Sequence, residues 1–521
     1  MSSSSQPSTL PRPTSLPLYL LLCLPLCCAA ADWPQYRGAN HDGISKDRIN
    51  KQWSGSVTNP VWLVRVTNCL GSLTVSGGRV FTQTRRMLGG LAKEVCVALR
   101  DTNGAELWAT PVDDASYPNG SVGNDDGPRT TPVVDGGSVF VLSSYLKLYR
   151  LNATNGAILW QTNLLTAYGG SVIAWQNAAS PLLEGDSIYV NANCGSSTLM
   201  ALRTSDGSLA WRSQNEGMTH STPVLATIQG VRQIIFATQS GLVSLDPSSG
   251  NLLWKFSYPF DYNTSLSVSP VVFEDMVYVC GSQGYGMGSV VMRIGLADNT
   301  WTATQLWANT GVSSTLSSHW MTPVVHQGFL YGQFGDSVNA QLKCVDMRSG
   351  AVKWSVNSFG RGGTLLVDNH LLTITETGLL VLYKPDTNAY TELGRCLAIP
   401  NYHGTTNKCW NVPAVSDGRV YVRSTAYAAC FDFSVPDLKL DPPQVVAADK
   451  LQLTVRTVNG TPVDSNRLPG LEVRATTNLA HTLAQWDSLT NSLVLTNGKV
   501  RIDDVDARAQ PRRFFIISEP Q

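Results

Sequence analysis

A short motif recurs along this chain and restricts its fold more than any other feature. It consists of an aliphatic residue, a glycine five positions later and a tryptophan four positions after the glycine. Alternating apolar residues on both sides of the glycine-containing turn predict an antiparallel pair of strands. A looser copy ends at Trp307, where Asp298 and Asn299 supply the turn. Five copies keep the full spacing: Leu99–Gly104–Trp108, Leu151–Gly156–Trp160, Leu202–Gly207–Trp211, Leu245–Gly250–Trp254 and Val345–Gly350–Trp354.

A second motif precedes each of these hairpins. It usually starts with a small hydroxyl residue and a proline, and it continues with apolar residues, a turn and a strand. Eight copies begin near residues 72, 131, 180, 222, 269, 322, 364 and 412. Proline suits the first residue of a strand, where its missing N–H is least needed. The two motifs together give four strands per unit and 43 to 53 residues between tryptophans, which is the period of propeller blades.

The last copy of the second motif lacks a following outer strand. A strand without a partner, residues 60–66, stands at the other end of the repeats. We expect this N-terminal strand to complete the last sheet, because closing the ring removes an exposed edge. The sequence therefore predicts an all-β protein with an eight-bladed β-propeller over residues 32–434.

The C-terminal part has a different pattern. Residues 435–445 are rich in proline and predict a linker. Residues 446–521 alternate like short strands, with Asn459–Gly460 and Asn497–Gly498 as turns. This pattern predicts a small β-sandwich-like domain.

The first 31 residues have the pattern of a signal peptide. A mostly apolar run over residues 16–28 is followed by Ala29, Ala30 and Ala31, which form a cleavage site before Asp32. The alternative is a membrane anchor, but Pro17 and Pro25 interrupt a run that is shorter than the roughly 20 apolar residues needed to span a bilayer. A lipoprotein signal would need a small residue before one of the cysteines in this segment. We therefore expect an exported chain that is periplasmic, outer-membrane-associated or extracellular, and not an integral membrane protein after cleavage.

The charge balance argues against one class of partner. Lys plus Arg and Asp plus Glu each number 38, so the formal net charge is zero. Nucleic-acid binding needs a clustered basic face, so no nucleic-acid partner is expected.

The repeat and the N-terminal motif Trp33–Pro34–Gln35–Tyr36–Arg37–Gly38 resemble those of the PQQ-like propeller superfamily, over about residues 32–434. That superfamily includes quinoprotein dehydrogenases and the propeller lipoprotein of the outer-membrane β-barrel assembly machine. The resemblance implies the propeller fold. It also raises the possibility of pyrroloquinoline quinone (PQQ) bound with Ca²⁺ on the propeller axis, as in the dehydrogenases.

The tryptophans and cysteines have simple structural roles in this interpretation. We expect the repeat tryptophans to lie on the outermost strands and to pack between neighbouring sheets rather than to bind a ligand. Most cysteines are expected to be small buried apolar residues. Cys396 and Cys409 flank a loop between the last two sheets and form the one candidate disulfide. The structural tryptophans are Trp108, Trp160, Trp211, Trp254, Trp307 and Trp354.

A ligand site, if the propeller has one, should lie at the mouth of its central channel. Residues just before each innermost strand ring that mouth, and side chains there either bind a ligand or hold the loops together. Two acidic segments, residues 124–127 and 503–506, are either plain turns or Ca²⁺ loops. The candidate ligand residues at the mouth are Arg129, Asn177, His220, His319, Trp320, Trp410 and Asn411.

Four motifs that are typical of enzyme active sites are missing from this sequence beyond the predicted signal peptide. The chain after Ala31 has no adjacent cysteines, Cys-x-x-Cys-His haem site, His-Glu-x-x-His zinc site or Gly-x-Ser-x-Gly elbow. The sequence therefore favours a non-enzymatic scaffold without a cofactor, which presents loops to a protein or polysaccharide in the envelope or outside the cell. The alternative is a PQQ-dependent oxidoreductase, or another protein that binds a cofactor or small molecule in the axial funnel.

Overall fold

The computed structural model describes residues 32–51, 53, 59–117, 126–258, 266–282, 287–311, 313–402, 407–506 and 513–519. The predicted signal peptide, residues 1–31, lies outside the described residues. The described chain divides into two compact units, one ending at Ser434 and one beginning at Val435. No helix in the described part of the chain has the length and apolar composition that a membrane crossing requires.

The first unit consists of eight sheets among the described residues, and most are built from four consecutive antiparallel strands. Two strands, β1 (Ile44–Ser45) and β2 (Trp62–Arg65), come before the repeats. Sheet 1 contains β3 (Thr74–Ser76), β4 (Arg79–Leu88), β5 (Leu91–Arg100) and β6 (Glu106–Asp114). Sheet 2 contains β7 (Val133–Asp135), β8 (Ser138–Leu142), β9 (Lys147–Asn152) and β10 (Ile158–Asn163), and the short helix α1 (Leu164–Tyr168) follows it. Sheet 3 contains β11 (Leu182–Glu184), β12 (Ser187–Asn191), β13 (Leu199–Arg203) and β14 (Leu209–Ser213).

The next five sheets repeat the arrangement. Sheet 4 contains β15 (Val224–Ile228), β16 (Val231–Thr238), β17 (Gly241–Leu245) and β18 (Leu252–Ser257). Sheet 5 contains β19 (Val271–Phe273), β20 (Met276–Cys280), β21 (Ser289–Ala297) and β22 (Thr300–Asn309). Sheet 6 contains β23 (Val324–His326), β24 (Phe329–Phe334), β25 (Gln341–Asp346) and β26 (Val352–Val356). Sheet 7 contains β27 (Gly363–Val367), β28 (His370–Ile374), β29 (Leu379–Tyr383) and β30 (Glu392–Leu397), and sheet 8 contains β31 (Ala414–Ser416), β32 (Arg419–Arg423) and β33 (Tyr427–Asp432).

The N-terminal strand closes the ring in the predicted way. Strand β2 pairs antiparallel with β33, so that Trp62 lies opposite Cys430 and sheet 8 gains its fourth strand. Strand β1 pairs parallel with β27 and makes sheet 7 five-stranded. Sheets 1 and 8, which are far apart in sequence, therefore become neighbours, and β3 lies beside β31.

The hydroxyl residue of the second motif links successive sheets around the axis. The backbone N–H that begins one inner strand donates to the hydroxyl oxygen at the start of the next. Val412 N donates to Ser72 Oγ at 3.1 Å, and this link joins the last sheet to the first. The other links run from Ser72 to Thr131, Thr131 to Ser180, Ser180 to Thr222 and Ser269 to Thr322, at 2.9 to 3.1 Å.

All but one of the repeat tryptophans of the outer strands pack on the turn of the following sheet. Trp108 Nε1 donates to Ala153 O at 3.1 Å, and its ring lies against Gly156. Gly156 has φ +72°, and a Cβ atom there would stand 2.6 Å from Trp108 Cε3. The motif therefore needs glycine twice, for the left-handed backbone and for the space that the indole fills. The same donation is made by Trp62 to Asp101 O, Trp160 to Thr204 O, Trp211 to Pro247 O, Trp307 to Met347 O and Trp354 to Asp386 O.

Trp254 is the exception, and the sequence explains it. The next sheet carries the looser repeat, with Asp298 and Asn299 at positive φ in a turn that joins two long strands. Trp254 Nε1 instead donates to Gln233 Oε1 in its own sheet at 2.6 Å. All six predicted tryptophans lie on fourth strands, which are β6, β10, β14, β18, β22 and β26.

The second unit contains two small sheets that share one apolar core, as the β-sandwich prediction requires. One sheet contains β34 (Leu438–Leu440), β35 (Gln444–Ala447), β36 (Lys450–Thr457), β39 (Leu493–Thr496) and β40 (Lys499–Asp506). The other contains β37 (Glu472–Thr476), β38 (Asp487–Ser488) and β41 (Phe514–Ser518). The short 3-10 helix Ser465–Gly470 lies between β36 and β37 and connects the two sheets, and a second one, Leu483–Gln485, lies between β37 and β38. Leu451, Leu453, Val473 and Phe515 are buried between the sheets.

The structure corrects the predicted linker. Within residues 435–445 the strand β34 and the start of β35 both pair with β36, so most of this segment belongs to the second unit. Pro436, Pro442 and Pro443 stand just outside these strands. Proline is compatible with short edge strands, and a proline-rich pattern alone does not distinguish such strands from a linker.

We expect a Gly156→Ala substitution to destabilise the propeller by about 2–4 kcal/mol, because it adds both a left-handed alanine and a clash with the Trp108 ring. Chemical denaturation of the two chains at neutral pH measures the difference. Gly136→Ala is the matched control, since Gly136 has φ +52° and nothing within 4 Å of the added Cβ. Equal losses for the two variants would show that the indole contact contributes nothing.

Candidate functional site

The connections between sheets meet around the axis and enclose one cavity of about 310 Å³. Each connection runs from the outer strand of one sheet to the inner strand of the next. All of these connections cross the same face of the propeller. The cavity wall includes residues from both ends of the repeats and from the N-terminal segment. Its lining residues include Tyr36, Leu70, Asp126, Arg129, Trp175, His220, Ser267, His319, Trp320, Lys408 and Trp410.

The N-terminal motif crosses this axis. Trp33 pairs with Val75 in sheet 1, and Pro34 O accepts a hydrogen bond from Val134 N in sheet 2. The buried Arg37 guanidinium donates to the carbonyl oxygens of Thr322 and Pro323 in sheet 6, at 2.8 and 2.9 Å. The segment therefore spans the channel from one side to the other and closes it, and Tyr36 becomes part of the cavity wall.

Five of the seven predicted ligand residues line the cavity: Arg129, His220, His319, Trp320 and Trp410. The two asparagines do not. Asn177 Nδ2 donates to the carbonyl oxygens of Ser143 and Ala179, and Asn411 Nδ2 donates to those of Leu70 and Gly71. Both amides are buried and hold loop backbones together, and neither lines this cavity. The residue two positions before each copy of the second motif lines the cavity in all eight sheets, whereas Asn177 stands three positions and Asn411 one position before its motif.

Several residues of the wall were not predicted. Lys408 and Trp175 stand two residues before predicted positions, and only the closed loops bring them to the cavity. Asp126 belongs to the first acidic segment, where it forms ion pairs with Lys408 and, at 3.7 Å, with Arg129. Asp126 therefore acts as a bridge between two cations. Asn124 and Asp125 of that segment lie outside the described residues.

A stack of rings and cations forms one side of the wall. The rings of Trp320 and Trp410 lie 4.5 Å apart, and His319 lies 4.1 Å from Trp320. The Arg361 guanidinium stands 4.5 Å from the Trp410 ring centre and 5.4 Å from that of Trp320. Such contacts between a cation and an aromatic face are attractive. They hold the indoles in place at the cavity surface.

Glu376 fixes the positions of the rings and of the Arg361 cation in this stack. Its carboxylate accepts hydrogen bonds from the Arg361 side chain at 2.7 Å, from Trp410 Nε1 at 3.0 Å and from the Tyr402 hydroxyl at 3.2 Å. Burial alone would raise the pKa of Glu376, but the hydrogen bonds from Arg361 and Trp410 bring it below the ordinary value. The carboxylate is therefore ionised and fully engaged with its neighbours.

The two cavity histidines are neutral at neutral pH. Burial, together with the charge of Arg129, lowers the pKa of His220 to about 4. Burial, together with the charge of Arg361, lowers the pKa of His319 to about 4. His220 Nε2 bonds to Gln176 O at 2.7 Å. Two buried nitrogens of the stack, His319 Nδ1 and Trp320 Nε1, have no hydrogen-bond partner within the described part of the chain.

The residues present do not fit a calcium-bound quinone. Calcium needs six to eight oxygen ligands, several of them carboxylates. Asp126 is neutralised by Lys408 and Arg129, and Glu376 is neutralised by Arg361. No group of three or more His, Cys, Asp or Glu side chains suited to a metal occurs among the residues that the structure describes.

The predicted disulfide between Cys396 and Cys409 does not form. Both cysteines are free and buried. Cys396 lies opposite Leu380 in the outer strand of sheet 7, whereas Cys409 directly precedes Trp410 near the axis. Burial raises the pKa of Cys396 to about 11 and that of Cys409 to about 12. Both therefore serve as small apolar residues of the core, like the other cysteines.

We expect Glu376→Ala to lower the free energy of unfolding by about 2–4 kcal/mol, because it leaves the half-buried Arg361 and two further donors without their acceptor. Urea denaturation at pH 7 measures this loss. Glu274→Ala is the control, since the exposed Glu274–Arg348 pair should contribute less than about 1 kcal/mol. A loss no larger than the control's would mean that Glu376 does not hold the stack.

The chain is similar to several known proteins. Residues 91–356, just over half of the chain, match the PQQ-repeat family described as outer membrane protein assembly factor BamB. The assembly factor BamB of Yersinia pestis is 25% identical over 370 residues, which cover 68% of this chain and 86% of that protein. The tetrathionate hydrolase of Acidithiobacillus ferrooxidans is 22% identical over 220 residues, 41% of each chain.

A solved structure shows the same fold. The quinohemoprotein alcohol dehydrogenase of Comamonas testosteroni superposes with a TM-score of 0.55 at 14% identity and covers 84% of each chain. At that identity the likeness concerns the propeller fold alone.

Proposed function

This chain belongs to the PQQ-repeat family described as outer membrane protein assembly factor BamB, and from that membership we propose that it is an exported scaffold that binds protein partners in the cell envelope. The finer part of the proposal is a role in the assembly of outer-membrane proteins. The family match carries the proposal. The signal-peptide pattern of residues 1–31 supports export.

The geometry of the cavity agrees with a scaffold. The carboxylates of its wall are engaged in ion pairs with neighbouring side chains, and its two histidines are neutral and buried. A general base needs a pKa near the working pH and access to a substrate proton. Neither histidine has a pKa near neutral pH. Partner binding therefore falls to the surface of the propeller.

We expect a photo-crosslinking amino acid on the propeller surface to capture a partner in the living source cell. Ala174 and Asn401 are exposed positions on the face where the cavity opens, and Asn103 and Asp206 are exposed positions in turns at the other ends of the strands. Mass spectrometry of the crosslinked species identifies the partner and the face that binds it. Deletion of the chain should also reduce the amount of β-barrel protein in the outer membrane.

Two results together would contradict this function. They are the absence of a specific crosslink from either face of a folded, exported chain and unchanged outer-membrane β-barrel proteins after deletion. A crosslink without an effect on β-barrel proteins would keep the scaffold and remove the assembly role.

A second candidate function is the binding of a small molecule in the axial cavity. The observation that favours it is the pair of unsatisfied nitrogens, His319 Nδ1 and Trp320 Nε1, beside exposed aromatic faces and the cations Arg129 and Lys408. Such a wall suits a flat molecule with anionic or acceptor groups. One of the relatives named above, the tetrathionate hydrolase, is an enzyme.

We expect calorimetric titration of the chain beginning at Asp32 with PQQ to show no dependence on Ca²⁺, because the wall offers calcium no set of free carboxylates. The titration is run with added Ca²⁺ and with a chelator, and Trp410→Ala serves to place any binding at the cavity. Saturable one-to-one binding that requires Ca²⁺ would contradict our view of the wall and would justify dye-linked oxidation assays.

A further inference from the structure

One hairpin of the propeller is longer than its equivalents. Strands β4 and β5 each have 10 residues, whereas the corresponding strands β8 and β9 have five and six. The extra residues extend the hairpin by about 15 Å, at roughly 3.4 Å per residue. The extension lies at the β4–β5 turn, on the face where the axial cavity opens.

The end of this hairpin is apolar on both of its faces. Met87 is 62% exposed, Leu88 39% and Leu91 61%. Leu88 pairs with Leu91 on the last rung, and Met87 pairs with Ala92 on the rung below. Successive rungs point to opposite faces of a hairpin, so no face of the tip is polar.

The turn itself is tight and stands clear of the rest of the molecule. Gly89 and Gly90 have φ of +58° and +81°, and nothing lies within 4 Å of a Cβ atom added at either position. Positive φ at both central residues is the requirement of a two-residue hairpin turn. The tip is therefore a narrow, convex projection.

A band of charge lies directly below the apolar rungs. Arg86 pairs with Lys93 across the strands, and Arg85 occupies the rung below. Arg86 contacts Glu106, Lys93 contacts Asp114, and Arg85 lies across from Glu94, so each basic residue of the band has an acidic neighbour. The ion pairs of Arg86 and Lys93 are solvent-exposed and weak, which leaves these two cations able to exchange partners.

The base of the hairpin is held firmly. Arg85 Nε donates to Ala115 O at 3.0 Å. The buried Glu94 carboxylate accepts hydrogen bonds from the Tyr117 hydroxyl at 2.7 Å and from Ser144 N at 3.1 Å. The projection is thus anchored to sheets 1 and 2.

We propose that the β4–β5 tip inserts into the interfacial region of a membrane that contains anionic phospholipid. Two apolar rungs and the turn extend about 7–10 Å, the depth to which interfacial segments enter a bilayer. Arg86 and Lys93 then lie at the level of the anionic headgroups, where basic side chains are stabilised. A protein groove would contact one apolar face, whereas a tip that is apolar on both faces suits a medium that surrounds it.

Co-sedimentation with lipid vesicles tests this inference on the chain beginning at Asp32. We expect binding to vesicles of phosphatidylcholine and phosphatidylglycerol in equal parts, weaker binding to phosphatidylcholine alone, and loss of the difference at high salt. Replacing Met87, Leu88 and Leu91 by serine should weaken binding at least about tenfold. Ile158→Ser/Leu159→Ser is the matched control, because these residues are 47% and 49% exposed on an outer strand away from the tip.

A second readout reports insertion directly and does not depend on the triple variant. A polarity-sensitive NBD dye on Met87→Cys should shift to the blue and become protected from aqueous quencher when vesicles are added. The native cysteines from Cys69 onward are all buried, so the label goes to the tip. The same dye on Ile158→Cys should not respond.

Three results would overturn the inference. They are the absence of binding to either kind of vesicle by the folded chain, binding that the serine variant leaves unchanged, and an unshifted dye at position 87. None of them bears on the scaffold proposal, which the crosslinking and deletion experiments decide independently.

Discussion

The propeller depends on the contact between an indole ring of one sheet and the glycine turn of the next. Trp108 fills the space above Gly156 and donates its only hydrogen bond to a carbonyl of that turn. Each contact buries a large aromatic surface and fixes the spacing of two sheets that share no strand. Trp62 makes the same contact from the N-terminal strand, so the closing sheet packs on sheet 1 by the same means as the repeats.

Closure of the ring determines what the centre of the molecule contains. The link from Val412 N to Ser72 Oγ joins the last inner strand to the first, and Arg37 secures the N-terminal segment across the axis. The result is a cavity closed by that segment rather than an open channel. Its wall is a set of indoles and cations whose positions are fixed by Glu376 and Asp126. Those two carboxylates are occupied in holding the wall, which is why we assign partner binding to the surface.

The two proposals concern different parts of the propeller surface. The scaffold proposal rests on family membership and places partners on the exposed loops. The membrane proposal rests on a single long hairpin, whose apolar rungs and basic band follow one another along its axis. A rigid ring that holds such a hairpin at the cavity face would orient that face toward a lipid surface. Protein partners in the envelope would then meet the propeller at a defined height above the membrane.

The sequence by itself determined the repeat, and with it the sheets, the turns and the structural tryptophans. It could do so because these features are local: Leu99, Gly104 and Trp108 specify a hairpin by their spacing alone. The closing strand was also predictable, since residues 60–66 had no other place to pair. The exceptional Trp254 follows from the turn at Asp298 and Asn299, which lacks the repeat glycine.

Only the tertiary structure decided which groups of the cavity wall pair with one another and that Cys396 and Cys409 stay apart. Asn177 stands three residues before Ser180 and bonds to loop backbone, whereas His220 stands two residues before Thr222 and lines the cavity. Lys408, Asp126 and Arg361 come from distant parts of the chain, and no spacing rule brings them together. Cys396 and Cys409 are close in sequence but lie on an outer strand and beside the axis, respectively. Long-range neighbours depend on ring closure, and a pattern with a period of one blade carries no information about them.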